Sequence, residues 1–186
     1  MIRFTGNPAL ILVDFQTGFD DWEYWGGSRN NPQAEVNAGA LLRAWRTASL
    51  PVFHIQHCST NPQSRLHPSN PGNAFKPEVL PLPGEKIIKK AVNSAFIGTE
   101  LESALKSAMI KTVEIAGLTT DHCVSTTVRM AANLGFEVVV VQDACATFNK
   151  VGFDGTMYPA SLIHETALAS LNKEFALIVN TSDLKI

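Results

Sequence analysis

The sequence is poor in charge. It has 186 residues, with 15 Lys and Arg and 17 Asp and Glu, or 17% charged in all; an average soluble domain has about 25%. The net charge is −2. The basic residues are scattered and form no stripe that could track a phosphate backbone, which argues against a nucleic-acid partner. No apolar stretch approaches the roughly 20 residues of a membrane span. The N-terminal apolar run is broken by Pro8, ends at Asp14 and lacks the small-residue cleavage site of a secretory signal. Cysteine is sparse and odd in number: Cys58, Cys123 and Cys145. That excludes a disulfide framework and fits free thiols in a reducing cytoplasm. There is no internal repeat and no low-complexity tract.

Apolar residues make up 45% of the chain, too many for a disordered protein of such low net charge. The length suits one domain over residues 1–186 with a substantial core. Short apolar runs alternate with amphipathic segments. Ala9–Val13 (ALILV) is continuous, as in a strand buried on both faces. Asn37–Ser49 carries Ala38, Leu41, Leu42 and Trp45 at helical spacing. Pro51–His57, Lys86–Lys89, Val113–Ala116, Glu137–Gln142 and Phe175–Asn180 read as further strands. Thr99–Met109, with a capping box from Thr99 and Glu102, Asp121–Gly135 and Pro159–Leu171 read as helices. Cys58–Glu85 holds six prolines and reads as an irregular connection. Strands alternating with helices predict an α/β fold with a parallel sheet covered on both faces. Reactive groups then collect at the carboxyl ends of the strands.

Three kinds of group stand at those ends. Asp14 closes the first strand, and a carboxylate there is costly unless paired. Lys89 and Lys90 close the third. Cys123 follows the fourth, at the start of a helix. A thiol is a weak nucleophile until deprotonated, and a helix N-terminus or an ammonium favours the thiolate. An aspartate can take the thiol proton and return it to a leaving amine. Backbone N–H groups at the helix start can hold an oxyanion. The set fits acyl transfer from an amide. Taken singly, Cys123 reads equally as a small core residue, Asp14 as a cap or turn former and Lys90 as a solvated lysine. Their joint placement favours chemistry.

Three motifs give the chain a wider likeness. They are LVDFQTGF, IIKKAVNSAFIGTEL and IAGLTTDHCVSTTVRMAANLGFEVVVVQDACAT. In this order they resemble the isochorismatase-like cysteine hydrolases, which include nicotinamidases and N-carbamoylsarcosine amidase-type enzymes. The likeness runs from about Pro8 to Val179. It implies a single-domain, Rossmann-like three-layer α/β/α sandwich around a six-stranded parallel sheet. It implies Cys123 as nucleophile, Asp14 as general base and acid, and Lys90 as the electrostatic support, chosen over Lys89 by its place four residues before Ser94-Ala95-Phe96. It also implies a cis peptide between Leu118 and Thr119 and an oxyanion hole from the N–H groups of Thr119 and Cys123.

Isochorismatases proper lack the cysteine, so Cys123 points to C–N hydrolysis through a thioester. Nicotinamidases add a metal held by an Asp and histidines. Here His54, His57 and His67 occur without the Asp-X-His pattern, and His54 and His57 point to opposite faces of a strand. The expectation is no metal and no cofactor. Gln16, Phe19, His57 and His122 are candidate substrate contacts, each with a plain packing or surface alternative. Asp121 reads as a helix cap, Cys145 as a packing residue, Cys58 as inert and His164 as structural or interfacial. Gly18–Asn31, Cys58–Glu85 and Asn149–Pro159 are the expected pocket loops. The expected partner is a small molecule, and the likeness implies a homo-oligomer. A thiol-reactive redox protein and a silent binding or assembly protein are the competing classes. The first lacks a Cys-X-X-Cys pair; the second sits badly with an intact trio.

Overall fold

The computed structural model describes residues 7–184. In chain order the strands are β1 (Ala9–Val13), β2 (Val52–His57), β3 (Lys86–Lys90), β4 (Thr112–Leu118), β5 (Glu137–Ala146), β6 (Lys150–Val151), β7 (Met157–Tyr158) and β8 (Leu177–Val179). The helices are α1 (Trp22–Trp25), α2 (Ala34–Thr47), α3 (Leu101–Ser107), α4 (Ser125–Asn133) and α5 (Ala160–Leu171). Six strands form one sheet in the order β3-β2-β1-β4-β5-β8, and every pairing in it is parallel. β6 and β7 form a separate small hairpin.

The apolar run of β1 explains the layers. All five of its residues are buried. Ala9, Ile11 and Val13 pack with Leu101, Leu105, Val128 and Leu168 of α3, α4 and α5. Leu10 and Leu12 pack with Leu41, Leu42 and Trp45 of α2 on the opposite face. The period-2 alternation of a strand thus feeds two cores, and each fully buried Leu or Ile contributes about 1.5–3 kcal/mol. The helical spacing of Ala38, Leu41, Leu42 and Trp45 does what it predicts, with all four buried.

The chain builds outward from β1 to β3, then crosses back to place β4 on the other side of β1. That reversal is a topological switch point, where α/β sheets open a crevice at the strand carboxyl ends. β1 and β4 approach closely there. A Cβ on Gly117 would lie 2.3 Å from the Val13 carbonyl oxygen, so the pairing of Val13 with Gly117 requires glycine. Beyond it, the β4–β5 register shifts: Ile115 faces Val140 and Gly117 faces Cys145. Two residues along β4 are matched by five along β5, a bulge that bends β5 at the rim of the site.

Several expectations are corrected. The Thr99 capping box does not form. Thr99 Oγ1 donates to the Ala95 carbonyl at 2.6 Å, while Glu102 pairs with Lys106 one turn on. The helix expected from Asp121 begins as α4 at Ser125, and a single π turn over Thr120–Val124 precedes it. Asp121 caps nothing; its carboxylate accepts from Thr147 Oγ1 and lies 3.5 Å from Lys150 Nζ. β4 and β5 run beyond their apolar cores, and the β6–β7 hairpin was not expected. Among the described residues no helix is long and apolar enough to cross a membrane.

Candidate active site

The switch point places four strand ends side by side. Asp14 follows β1, His57 ends β2, Lys90 ends β3, and the segment after β4 carries Thr119 and Cys123. The register pairs His57 directly with Lys90. Asp14 has φ 54°, an uncommon conformation for a residue with a side chain and one that clusters at working sites. Its N–H donates to the Ile55 carbonyl at 3.0 Å, and its own carbonyl accepts from Gln16 N at 2.8 Å. The carboxylate is thereby held at the centre of the crevice.

Lys90 is the hub. Its Nζ donates to Asp14 Oδ2 at 2.7 Å, lies 2.9 Å from His57 Nδ1 and donates to Cys123 Sγ at 3.2 Å. The Lys90 and Asp14 side chains are both fully buried. An ammonium has three protons, and three acceptors surround it. Asp14 Oδ1 is buried with no hydrogen-bond partner among the described residues, which leaves one basic lone-pair set of the carboxylate unspent.

The electrostatics oppose the favouring of the thiolate that the sequence led us to expect from Lys90. Burial and the adjacent Asp14 carboxylate push the Cys123 thiol up to about 12, against the opposing pull of Lys90. Burial would lower the Lys90 ammonium, but the Asp14 carboxylate beside it, helped by the contact with the Cys123 sulfur, outweighs this and holds the ammonium above its ordinary value. Burial, then Lys90, hold His57 below its ordinary value. At neutral pH the free site is therefore an Asp14–Lys90 ion pair beside a neutral thiol and a neutral imidazole. The thiolate forms only as its proton leaves for a nearby base.

Cys123 opens on a cavity of about 160 Å³. Phe19, Trp25 and Leu66 supply its apolar wall, and His57, Ser64, Asn93, Thr119 and His122 its polar one. The wall is fixed: Phe19 and Trp25 lie 4.6 Å apart between ring centroids, and Trp25 Nε1 donates to the Gly18 carbonyl at 2.8 Å. No carboxylate or ammonium lines the cavity, which suits a small uncharged ligand.

The candidate residues fall into two groups. Asp14, His57, Lys90, Thr119 and Cys123 converge; Phe19 and His122 line the cavity. The Leu118–Thr119 peptide is cis. Gln16 does not reach the cavity. It is fully buried, its Nε2 donates to the carbonyls of His57 and Asn73 at 3.0 and 2.9 Å, and its Oε1 accepts from His57 N at 2.8 Å. Gln16 thus spends its whole amide on fixing the end of β2. His54 bonds Glu85 at 2.8 Å and takes no part in the site. Cys145 is fully buried and packs in the core; the Cys58 N–H anchors the Lys90 carbonyl at 2.7 Å. Ser64, Leu66 and Asn93 were not foreseen individually. The first two lie in a pocket loop whose conformation no local pattern dictates, and Asn93 is three residues past Lys90.

One group of metal-ligating residues occurs among those described: Asp14, His57 and Cys123, with ligand atoms within 4.8 Å of one another. Lys90 Nζ touches all three, so a cation entering there must displace an ammonium already bound to the same atoms.

Comparison with known proteins agrees with this architecture. The isochorismatase domain profile matches residues 8–183. An uncharacterised isochorismatase family protein of Bacillus subtilis, YrdC, is 49% identical over 178 residues, covering 96% of this chain and 94% of the relative. A crystal structure from Chromobacterium violaceum, assigned to a hydrolase of the isochorismatase family, superposes with a TM-score of 0.94 at 45% identity, covering 98% of this chain and 94% of that one. A streptothricin hydrolase of Streptomyces noursei is 33% identical over 145 residues, 76% of this chain and 50% of the relative. With the domain matched almost end to end and a relative near half identity, the chain belongs to the isochorismatase family of hydrolases.

Proposed function

We propose that this protein is a cysteine-dependent hydrolase of a C–N bond in a small uncharged molecule of amide, ureide or carbamoyl type. The observation that carries the reading is the contact of one buried ammonium with both a carboxylate and a thiol, Lys90 to Asp14 at 2.7 Å and to Cys123 at 3.2 Å, where of the three only Cys123 lines the cavity. Asp14 takes the thiol proton as the sulfur attacks the carbonyl carbon. The thiolate forms next to Lys90, which remains charged throughout. The carbonyl π electrons move to oxygen, held by the N–H groups of Thr119 and Cys123. Collapse of the tetrahedral adduct breaks the C–N bond, and the leaving nitrogen receives the proton from Asp14. Water then adds to the thioester with Asp14 again as base. The acid is released and the thiol regains its proton.

The similarity to a streptothricin hydrolase supports a hydrolytic reaction on a small molecule. The neutral lining supports an uncharged substrate. A screen of small amides and ureides for ammonia or amine release tests the reading. Activity is expected in the wild type and absent in Cys123→Ala, with an acyl adduct on Cys123 seen by mass spectrometry on rapid quench. Full turnover by Cys123→Ala would overturn it.

A further inference from the structure

Lys90 does more than support the thiol. A lysine ammonium only donates hydrogen bonds, so the 2.9 Å contact from its Nζ makes His57 Nδ1 an acceptor. A neutral imidazole that accepts at Nδ1 carries its proton at Nε2. His57 lines the cavity, and its Nε2 has no hydrogen-bond partner among the described residues. The ring is also held from behind. The backbone N–H of His57 donates to Gln16 Oε1 at 2.8 Å, and its carbonyl accepts from Gln16 Nε2 at 3.0 Å and Asn73 Nδ2 at 2.8 Å. The Lys90 contact therefore leaves a fixed, uncharged N–H donor facing the substrate space.

We infer that His57 is a specificity-determining residue whose Nε2–H binds a second hydrogen-bond acceptor on the substrate, distinct from the scissile carbonyl. The inference rests on the thioester reading above and names the substrate class more closely. The sheet order makes the two acceptors distinct. The scissile carbonyl turns towards the N–H groups after β4, and His57 lies at the end of β2, on the far side of β1. The backbones of the two strand ends are two strand spacings apart, about 9.6 Å, while the His57 ring reaches inwards until a ring nitrogen lies within 4.8 Å of Cys123 Sγ, so a small ligand spans both. A ligand that reaches from one to the other presents its reacting carbonyl to the first and another acceptor to the second. The fixed aromatic wall of Phe19 and Trp25 suits a flat molecule. The class is thus a small, flat, uncharged amide or ureide carrying a second carbonyl oxygen or a ring nitrogen.

Two measurements test this. Long-range ¹H–¹⁵N correlation on the wild-type protein reads the His57 tautomer directly, with His57→Gln assigning the signal. A protonated Nε2 and an unprotonated Nδ1 are expected; the reverse tautomer overturns the proposal whatever becomes of the thioester chemistry. The second is kinetic and compares matched pairs of neutral amides with and without the second acceptor. Wild type is expected to favour the acceptor-bearing member, and His57→Leu to lose that preference, its kcat/KM falling about 10- to 100-fold further on this member than on the other, with His57→Gln retaining part of it. Equal losses on both members overturn the specificity role. Persistent turnover in Cys123→Ala would instead overturn the thioester reading and leave the tautomer result standing.

Discussion

Asp14 and Lys90 are 76 residues apart in sequence and 2.7 Å apart in the fold, with both side chains fully buried. Each charge needs the other. Removing one partner of a buried pair leaves an uncompensated charge, at a cost of about 3–5 kcal/mol, whereas removing both costs far less. Lys90→Met is therefore expected to abolish activity and to lower stability by about that amount in urea unfolding. The double variant Asp14→Leu, Lys90→Met should be inactive yet recover much of the lost stability. Additive losses in the cycle would show that the pair is not coupled.

The same pair sets the reactivity of Cys123. Burial and the Asp14 charge hold the thiol near 12, so neutralising that charge must lower it, and removing Lys90 must raise it. Asp14→Asn is expected to shift the alkylation profile of Cys123 with iodoacetamide towards lower pH than in wild type, and Lys90→Met towards higher pH. Asp14→Asn should remain inactive despite its more acidic thiol, because the proton acceptor is gone. Turnover by this variant at wild-type rates would remove Asp14 from the role of base.

Much of this site was legible before any coordinates. A short continuous apolar run such as Ala9–Val13, in a chain where strands alternate with helices, reads as a strand buried on both faces, and the residue that ends it then lies at the rim of a parallel sheet. Asp14, Lys90 and Cys123 follow from that rule together with the three motifs. The parts that were not legible depend on partners distant in sequence. The π turn under Cys123 is held by His164 of α5 at Thr120 and by Thr147 at Asp121. The amide of Gln16 could not be told from a ligand contact, because its backbone partners at His57 and Asn73 lie 41 and 57 residues away. Asp121 resembles a cap in sequence, but Thr147 and Lys150 reach it first. Thr99 Oγ1 accepts from Leu101 N at 3.3 Å, but Glu102 pairs with Lys106 instead of closing the box.

His164 ties α5 to the turn that carries Cys123. It is buried, and its Nδ1 lies 2.8 Å from Thr120 Oγ1 while its Nε2 lies 3.2 Å from Gln142 Oε1. Burial pushes it down to about 4, so the ring is neutral at physiological pH. His164→Leu strands these polar partners and is expected to cost about 1–3 kcal/mol for the unmet groups. Since Thr120 opens the Cys123 turn, kcat should fall more than KM rises. A variant that loses stability with unchanged kcat would confine His164 to packing.

Glu114 sits in the middle of β4 between Leu10 and Val139. It is fully buried, and neither carboxyl oxygen has a hydrogen-bond partner among the described residues. Burial alone pushes it up to about 8, from an ordinary 4.5. The folded state therefore holds a proton that the unfolded state releases between those two values. Below pH 4.5 both states are protonated and the group does not oppose folding. As pH rises towards 8 stability is lost, on the order of 5 kcal/mol in all, and above 8 the loss is complete. Glu114→Gln keeps the shape and cannot ionise. It is expected to flatten the decline in unfolding free energy across this window and to be more stable than wild type at pH 8. Parallel curves for the two proteins would mean that Glu114 finds a partner or water for its charge in solution.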